Sequence, residues 1–204
     1  MKALKGRWIK FRLMSGKNIG WAMTGSFCTL KSFLPVMKSL TEKNNVVPIF
    51  SFSVASSNNR FTKAEEFFRE VNDITHNKPI ITIEDAEPIG PKKLLDILIV
   101  APCTGNTLAK LNHAITDTPV LMAIKAHLRN DRPVLVALST NDALSSNAVN
   151  LGGLIYKKNI YFVPVFQDDA TNKTRSLTAD IDLIIPATEL ALRGIQIQPI
   201  IKGA

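Results

Sequence analysis

"DILIVAPCTGNTLAKL", residues 96–111, governs how the rest of the chain is read. Its apolar run, Ile97-Leu98-Ile99-Val100-Ala101, stops at Pro102. Small and hydroxylated residues follow, Cys103-Thr104-Gly105-Asn106-Thr107, and then a helix-like segment. An unbroken apolar run reads as a strand buried on both faces, the mark of a parallel sheet. The turn after it admits three readings: a plain strand-to-helix connection, a reactive cysteine, or a cradle for an anion.

The same alternation extends in both directions. "NIGWAMT" (18–24) reads as a short buried strand. The spacing of Phe27, Leu30, Phe33, Leu34, Met37 and Leu40 predicts an amphipathic helix over 26–43, kinked or delayed by Pro35. "VVPIFSFS" (46–53) reads as a second strand, and 62–74 as a helix capped by Thr62 with Glu65 in the capping-box position. "PIITI" (79–83) reads as extended, "DAEPIGPKK" (85–93) as a solvated loop, and "LLDILIVA" (94–101) as the clearest strand. Thr118-Pro119 opens a helix, with a hydroxyl N-cap and proline at the first helical position. Beyond it come a strand over 133–139, a helix over 142–155, a strand over 160–166, the apolar "IDLII" (181–185) and a short helix near 187–193. Strands that alternate with helices imply a three-layer, Rossmann-like (flavodoxin-like) α/β domain with a central, mostly parallel sheet. Such folds bind ligands at the carboxyl ends of their strands, so function is expected in the loops found there.

A chain of 204 residues, 46% hydrophobic and 21% charged, suits one globular domain with a real core. We expect that domain over 15–204, after a basic, disordered extension over 1–14. Lys2, Lys5, Arg7, Lys10 and Arg12 carry five of the eight net positive charges, and the body shows no basic stripe interleaved with aromatics, so nucleic acid is not indicated. No window is apolar enough for a membrane span, and no export signal is recognisable. A cytoplasmic location and free thiols at Cys28 and Cys103 are therefore expected.

Four strand-end loops share a chemistry: Thr24-Gly25-Ser26, Ser51-Phe52-Ser53, Thr104-Gly105-Asn106-Thr107 and Ser139-Thr140-Asn141. Each offers hydroxyls, an amide or a glycine, and none offers an inward-aimed lysine or arginine. Hydroxyls and backbone N–H groups at helix N-termini suit a phosphate. "GWAMTGS" (20–26) has P-loop spacing but places Ser26 where the lysine belongs, which disfavours ATP and GTP. Without a GxGxxG or a ribose-binding acid, a phosphate monoester such as FMN fits better than a dinucleotide. No metal-ligand spacing, CxxC or GxSxG is present. His76 reads as a surface cap, His113 and His127 as packing or surface residues, and Cys28 as core. Cys103 is the one candidate thiol nucleophile, since a helix start lowers a thiol pKa, although a cysteine packed at a strand end is commoner.

Thr24-Gly25-Ser26 and "APCTGNTLAKL" (101–111) resemble the flavoprotein family of cysteine decarboxylases, which includes phosphopantothenoylcysteine decarboxylase, peptidyl-cysteine decarboxylases and flavin prenyltransferase. The family carries a TGS-like loop and a PASANT-like loop on an FMN-binding domain. "DAEPIGPKKLLDILIVAPCTGNTLAKL" and "KKNIYFVPVFQDD" are similar to its dipicolinate-forming branch in spore-forming bacteria. The resemblance, over about residues 16–201, implies FMN as cofactor, a homo-oligomer in multiples of three, and a partner A subunit resembling an NADP-binding dehydrogenase. It implies oxidation of a dihydrodipicolinate-type precursor from the lysine pathway in a sporulating mother cell. Gly25 and Ser26 would hold the flavin phosphate with Ser51 or Ser53; Thr104, Asn106 and Thr107 would contact the phosphate, ribityl chain or ring edge. Thr140 and Asn141 fall at the family's PAMN loop, here "LSTN" (138–141), and Asn141 joins Cys103 as a catalytic candidate. The decarboxylases' histidine after the second strand is missing, because no histidine precedes His76, so cysteine decarboxylation is disfavoured. A flavin-binding oxidoreductase subunit is the leading reading. Its rival is a non-catalytic partner with a vestigial pocket.

Overall fold

The computed structural model describes residues 14–203. Nearly all of the expected basic extension, residues 1–13, lies outside that range. The parallel strands are β1 (Asn18–Met23), β2 (Asn45–Phe50), β3 (Ile97–Cys103), β4 (Val134–Thr140) and β5 (Ile160–Phe162), in the order 2-1-3-4-5. Two short strands, β6 (Val165–Phe166) and β7 (Leu177–Ala179), complete a seven-stranded sheet; β7 runs antiparallel to both β4 and β6. The mixed α/β architecture with a mostly parallel central sheet is thus the one expected.

Side-chain alternation along the strands builds two cores. Leu98, Val100, Val134, Val136 and Leu138 face one helical layer, formed by α4 (Ile83–Ala86), α5 (Gly105–Asn112), α6 (Pro119–Leu128) and α7 (Ala148–Leu154). Ile97, Ile99, Ala101, Leu135 and Ala137 face the other, formed by α1 (Leu34–Thr41), α2 (Phe52–Ser56), α3 (Ala64–Thr75) and α8 (Ile184–Ala191). Burial on both faces is why β3 reads as an unbroken apolar run.

Several expected elements change. Pro35 sits in the first turn of α1, so the helix starts late after a 3-10 turn at Leu30–Phe33. Thr62 caps nothing: α3 starts at Ala64, whose amide donates to Asn58 Oδ1, while Asn59 Oδ1 accepts from Phe61 and Thr62. Residues 79–83 form only one bridge, Ile80 to Ile49. The supposed solvated loop at 85–93 instead holds the end of α4 and a 3-10 turn at Glu87–Ile89, with Ala86 and Ile89 buried in the core. The helix expected over 142–155 is α7 alone, preceded by turns, and Val163-Pro164 splits the strand expected over 160–166. Proline cannot donate to a ladder, which explains that split.

His127 is a packing residue, 1% exposed, with Nε2 3.1 Å from the Pro133 carbonyl oxygen. Burial depresses its pKa from 6.5 to about 4, opposed by that hydrogen bond and assisted by Arg132. Because the folded pKa lies below the unfolded one, the unfolded chain binds the proton first as pH falls. This contribution is therefore whole above pH 6.5 and is lost between pH 6.5 and about 4. Denaturant titrations over that window should register a loss of about 3 kcal/mol in the native chain. In His127→Leu the pH slope should be shallower by that amount; an equal slope would remove His127 as its cause.

Candidate functional site

At the strand carboxyl ends three of the four loops converge on a cavity of about 350 Å³, lined by Thr24, Gly25, Ser51, Ser53, Thr104, Asn106 and Thr107 among others. It lies at the point where the strand order reverses between β1 and β3, the crevice a doubly wound sheet leaves open. Thr24, 1% exposed, ties the first loop to the third. Its amide and hydroxyl both donate to the Pro102 carbonyl, at 3.2 and 2.8 Å, and its Oγ1 accepts from the Thr104 amide at 2.9 Å. The Ser51 amide donates to the Met23 carbonyl, so the second loop is tied to the first. The β3–β4 register shifts between Val100 and Cys103, around Pro102, which has no N–H for the ladder.

Three helices begin at this cavity, and each N-cap residue lines it. Ser51 Oγ accepts from the Val54 amide of α2 at 3.4 Å, Thr104 Oγ1 from the Thr107 amide of α5 at 3.3 Å, and Thr118 Oγ1 from the Leu121 amide of α6 at 3.2 Å. Capping uses one donor per helix. The amides of Phe52, Ser53, Gly105 and Asn106 make no hydrogen bond among the described residues. Unpaired N–H groups and converging positive dipole ends favour an anion. Gly25 keeps this approach open: a Cβ there would lie 2.9 Å from Ser53 Oγ.

A lysine from outside the four loops completes the arrangement. Lys110 of α5 lines the cavity and pairs with Asp117 at 2.6 Å. It stands six residues beyond Thr104, but helical side chains lean toward the N-terminus, and a lysine is long enough to reach back. Its place with Thr107 at i, i+3 on one helix face was the available signal. Thr118 was recognised as a cap but not as a wall of the site. Phe27, Phe52 and Leu121, the apolar walls, were also missed.

The remaining candidates lie elsewhere. Ser26 turns away from the cavity and contacts Thr29 and Ser139, at 2.9 and 3.0 Å between hydroxyl oxygens. Gly105 and Thr140 support the cradle from behind. A Cβ on Gly105 would come within 2.5 Å of Asn147 Nδ2 and 2.7 Å of both Asp142 Oδ1 and Thr140 Oγ1. Asn141 is exposed beyond the end of β4. Cys103 is wholly buried, and burial pushes its thiol up to about 12; it is no thiolate nucleophile, and the helix start next to it does not overcome desolvation. Cys28, expected in the core, is exposed.

The Flavoprotein family model matches residues 10–187. The chain is 44% identical over 189 residues to the B subunit of dipicolinate synthase from Bacillus subtilis (strain 168), covering 92% of this chain and 94% of that protein. The crystal structure of the corresponding dipicolinate synthase B subunit from Bacillus halodurans C superposes with a TM-score of 0.85 at 41% identity, over 93% of this chain and 97% of that one. The FMN binding protein AtHal3 shares the fold, with a TM-score of 0.61 at 19% identity over 85% and 95% of the two chains. A family model spanning most of the chain, with a relative this similar along nearly its whole length, means that the chain belongs to the Flavoprotein family.

Proposed function

We propose that this chain is the FMN-binding subunit of a dipicolinate synthase and acts with an A-type subunit to dehydrogenate a dihydrodipicolinate-type precursor in a sporulating cell. The observation that carries the reading is the convergence of three helix N-termini and Lys110 on one cavity. The donor set suits a phosphate monoester: hydroxyls from Ser51, Ser53, Thr104 and Thr107, unpaired amides, and one cation. Phe27, Phe52 and Leu121 offer apolar surface for an aromatic ring system, and Asn106 offers an amide for its polar edge. When bound, the flavin would supply a two-electron acceptor. The chain's own task is then orientation: Thr24 and the three caps fix the loops, and Lys110 neutralises the phosphate. NADP would enter only through the partner subunit, and assembly as a homo-oligomer in multiples of three belongs to the same reading.

A second reading, a scaffold for a catalytic partner, is favoured by one observation. Among the described residues lining the cavity there is no histidine, carboxylate or cysteine to move a proton. Purification and an FMN titration by fluorescence quenching separate the two. Tight one-to-one binding, weakened roughly tenfold in Asn106→Ala, is expected if the cavity holds flavin. Absence of FMN binding, with or without the partner subunit, leaves the scaffold.

A further inference from the structure

The wall behind Gly105 is one end of a chain of polar side chains that runs the length of α5. Asn112 Nδ2, at the last residue of α5, donates to Asn150 Oδ1 at 3.2 Å. Asn150 Nδ2 donates to Asn147 Oδ1 at 2.9 Å, and Asn147 Nδ2 to Asp142 Oδ2 at 2.7 Å. Thr140 Oγ1 closes the chain from the other side, donating to Asp142 Oδ1 at 2.5 Å. All three amides point their N–H groups toward Asp142, whose carboxylate only accepts. Asn147 and Asn150 are each 6% exposed, so losing these partners would leave buried donors unsatisfied.

The chain joins two helices where they come closest. Gly105, the first residue of α5, abuts Asn147, the N-cap of α7; at the other end Gly153 of α7 abuts Asn112. A Cβ on Gly153 would come within 2.5 Å of Asn112 Oδ1, as one on Gly105 would of Asn147 Nδ2. Each helix thus presents a bare backbone position to an asparagine at the start or end of the other. Asn147 makes no side-chain capping bond to α7, although an asparagine at that position ordinarily does. Its amide is committed to Asp142 and Asn150 instead. On the cavity side, Gly105 and Asn106 carry the unpaired amides that α5 offers an anion. Hydrogen bonds weaken steeply as distance and angle depart from ideal, so such a cradle needs the start of its helix held in place.

We propose that Asp142, acting through Asn147, is the positioning residue of the cradle. It fixes where α5 begins, and so where the Gly105 and Asn106 amides stand against a bound phosphate. Neither Asp142 nor Asn147 lines the cavity; both act through the helix. That the ligand is a flavin phosphate rests on the function proposed above.

Exchanging the two partners tests the geometry. Asn147→Asp alone sets a second carboxylate against Asp142 at hydrogen-bond distance, and at about pH 8 the two repel. Asp142→Asn combined with Asn147→Asp restores a donor facing an acceptor at the native net charge, with Asn150 still donating to position 147. In the FMN-free full chain, Asn147→Asp should speed hydrogen exchange across residues 104–112 about tenfold or more, with β1 and β2 unchanged, and the exchanged pair should return it to near the native rate. FMN affinity should fall about tenfold or more in the single variant and lie within about threefold of native in the exchanged pair. Asp142→Ala removes the acceptor without adding repulsion and serves if Asn147→Asp does not fold; it should weaken FMN binding about threefold to tenfold. A role confined to stability would lower the melting temperature of these variants yet leave native α5 exchange and native FMN affinity in the folded chain. That result, or an exchanged pair no better than Asn147→Asp, would overturn the proposal. Because exchange is read without FMN, a native chain that binds no flavin refutes the proposed function and leaves the exchange result to decide the role of Asp142.

Discussion

Lys110→Glu is expected to cost this protein a hundredfold or more of its FMN affinity, while lowering the melting temperature by no more than about 4 °C. The first figure comes from charge. A hydrogen bond to a charged group contributes about 1.5–3 kcal/mol, and the new carboxylate adds repulsion of similar size against a phosphate and against Asp117. Each 1.4 kcal/mol is about tenfold in affinity. The second figure follows from position: Lys110 ends on a helix surface, its side chain 26% exposed, and its Asp117 partner is 50% exposed. The native pair therefore contributes less than about 1 kcal/mol to folding, and the reversal also opposes the α5 dipole only weakly. Fluorescence quenching by FMN and thermal unfolding check the two halves. Unchanged FMN affinity would dismiss Lys110 as a phosphate ligand, and a collapse of the melting temperature would mean that the residue is structural. Salt should act in the same direction, because part of the attraction is long-range and screened.

The three caps explain why such a site can exist without an obvious motif. Each of Ser51, Thr104 and Thr118 would be ordinary alone, because capping is what these residue types do at any helix start. What makes a site is that β2, β1 and β3 end side by side, so two of the three helices start from the strands flanking β1, and the turn after α5 returns α6 to the same point. Topology supplies the convergence; local sequence supplies only the donors.

That division also explains what the sequence disclosed. Strands β1, β3 and β4 were legible because burial on both faces demands unbroken apolar runs. Helix α6 was legible because Thr118-Pro119 states its start in two residues. Helix α2 was not, being only Phe52–Ser56 and too short for a periodicity; it was read as the end of a strand. The reading of the fourth loop as one unit failed for a geometric reason. Successive residues of a strand point to opposite faces. Ser139 therefore joins Ser26 and Thr29 in one layer, while Thr140 donates to Asp142 behind Gly105 in the other. Lys110 was hidden by distance along the chain, which a helix shortens to about 1.5 Å per residue. Cys28 was misplaced because the expected helix over 26–43 begins after it, leaving it in an exposed turn.

Trp21→Ala should be the most damaging single substitution at the sheet's centre, destabilising the protein by on the order of 5 kcal/mol. Trp21 is fully buried in the middle of β1, and its Nε1 donates to the Ala101 carbonyl at 2.9 Å. Truncating a buried tryptophan costs about 3–5 kcal/mol through lost burial and the cavity left behind, and here it also orphans a buried carbonyl. Against a total stability of roughly 5–15 kcal/mol, that takes much or all of the margin. Trp21→Phe keeps most of the volume and removes the donor, so its cost should be about 1–3 kcal/mol. The two variants together separate packing from hydrogen bonding. Ala101 directly precedes Pro102, whose carbonyl accepts from Thr24, so the indole anchors the strand end from which the cradle is hung. Trp21→Phe should accordingly lose FMN affinity by more than its stability loss alone explains. Urea unfolding and FMN titration on the same sample give both numbers, and a phenylalanine variant with native affinity would confine Trp21 to the core.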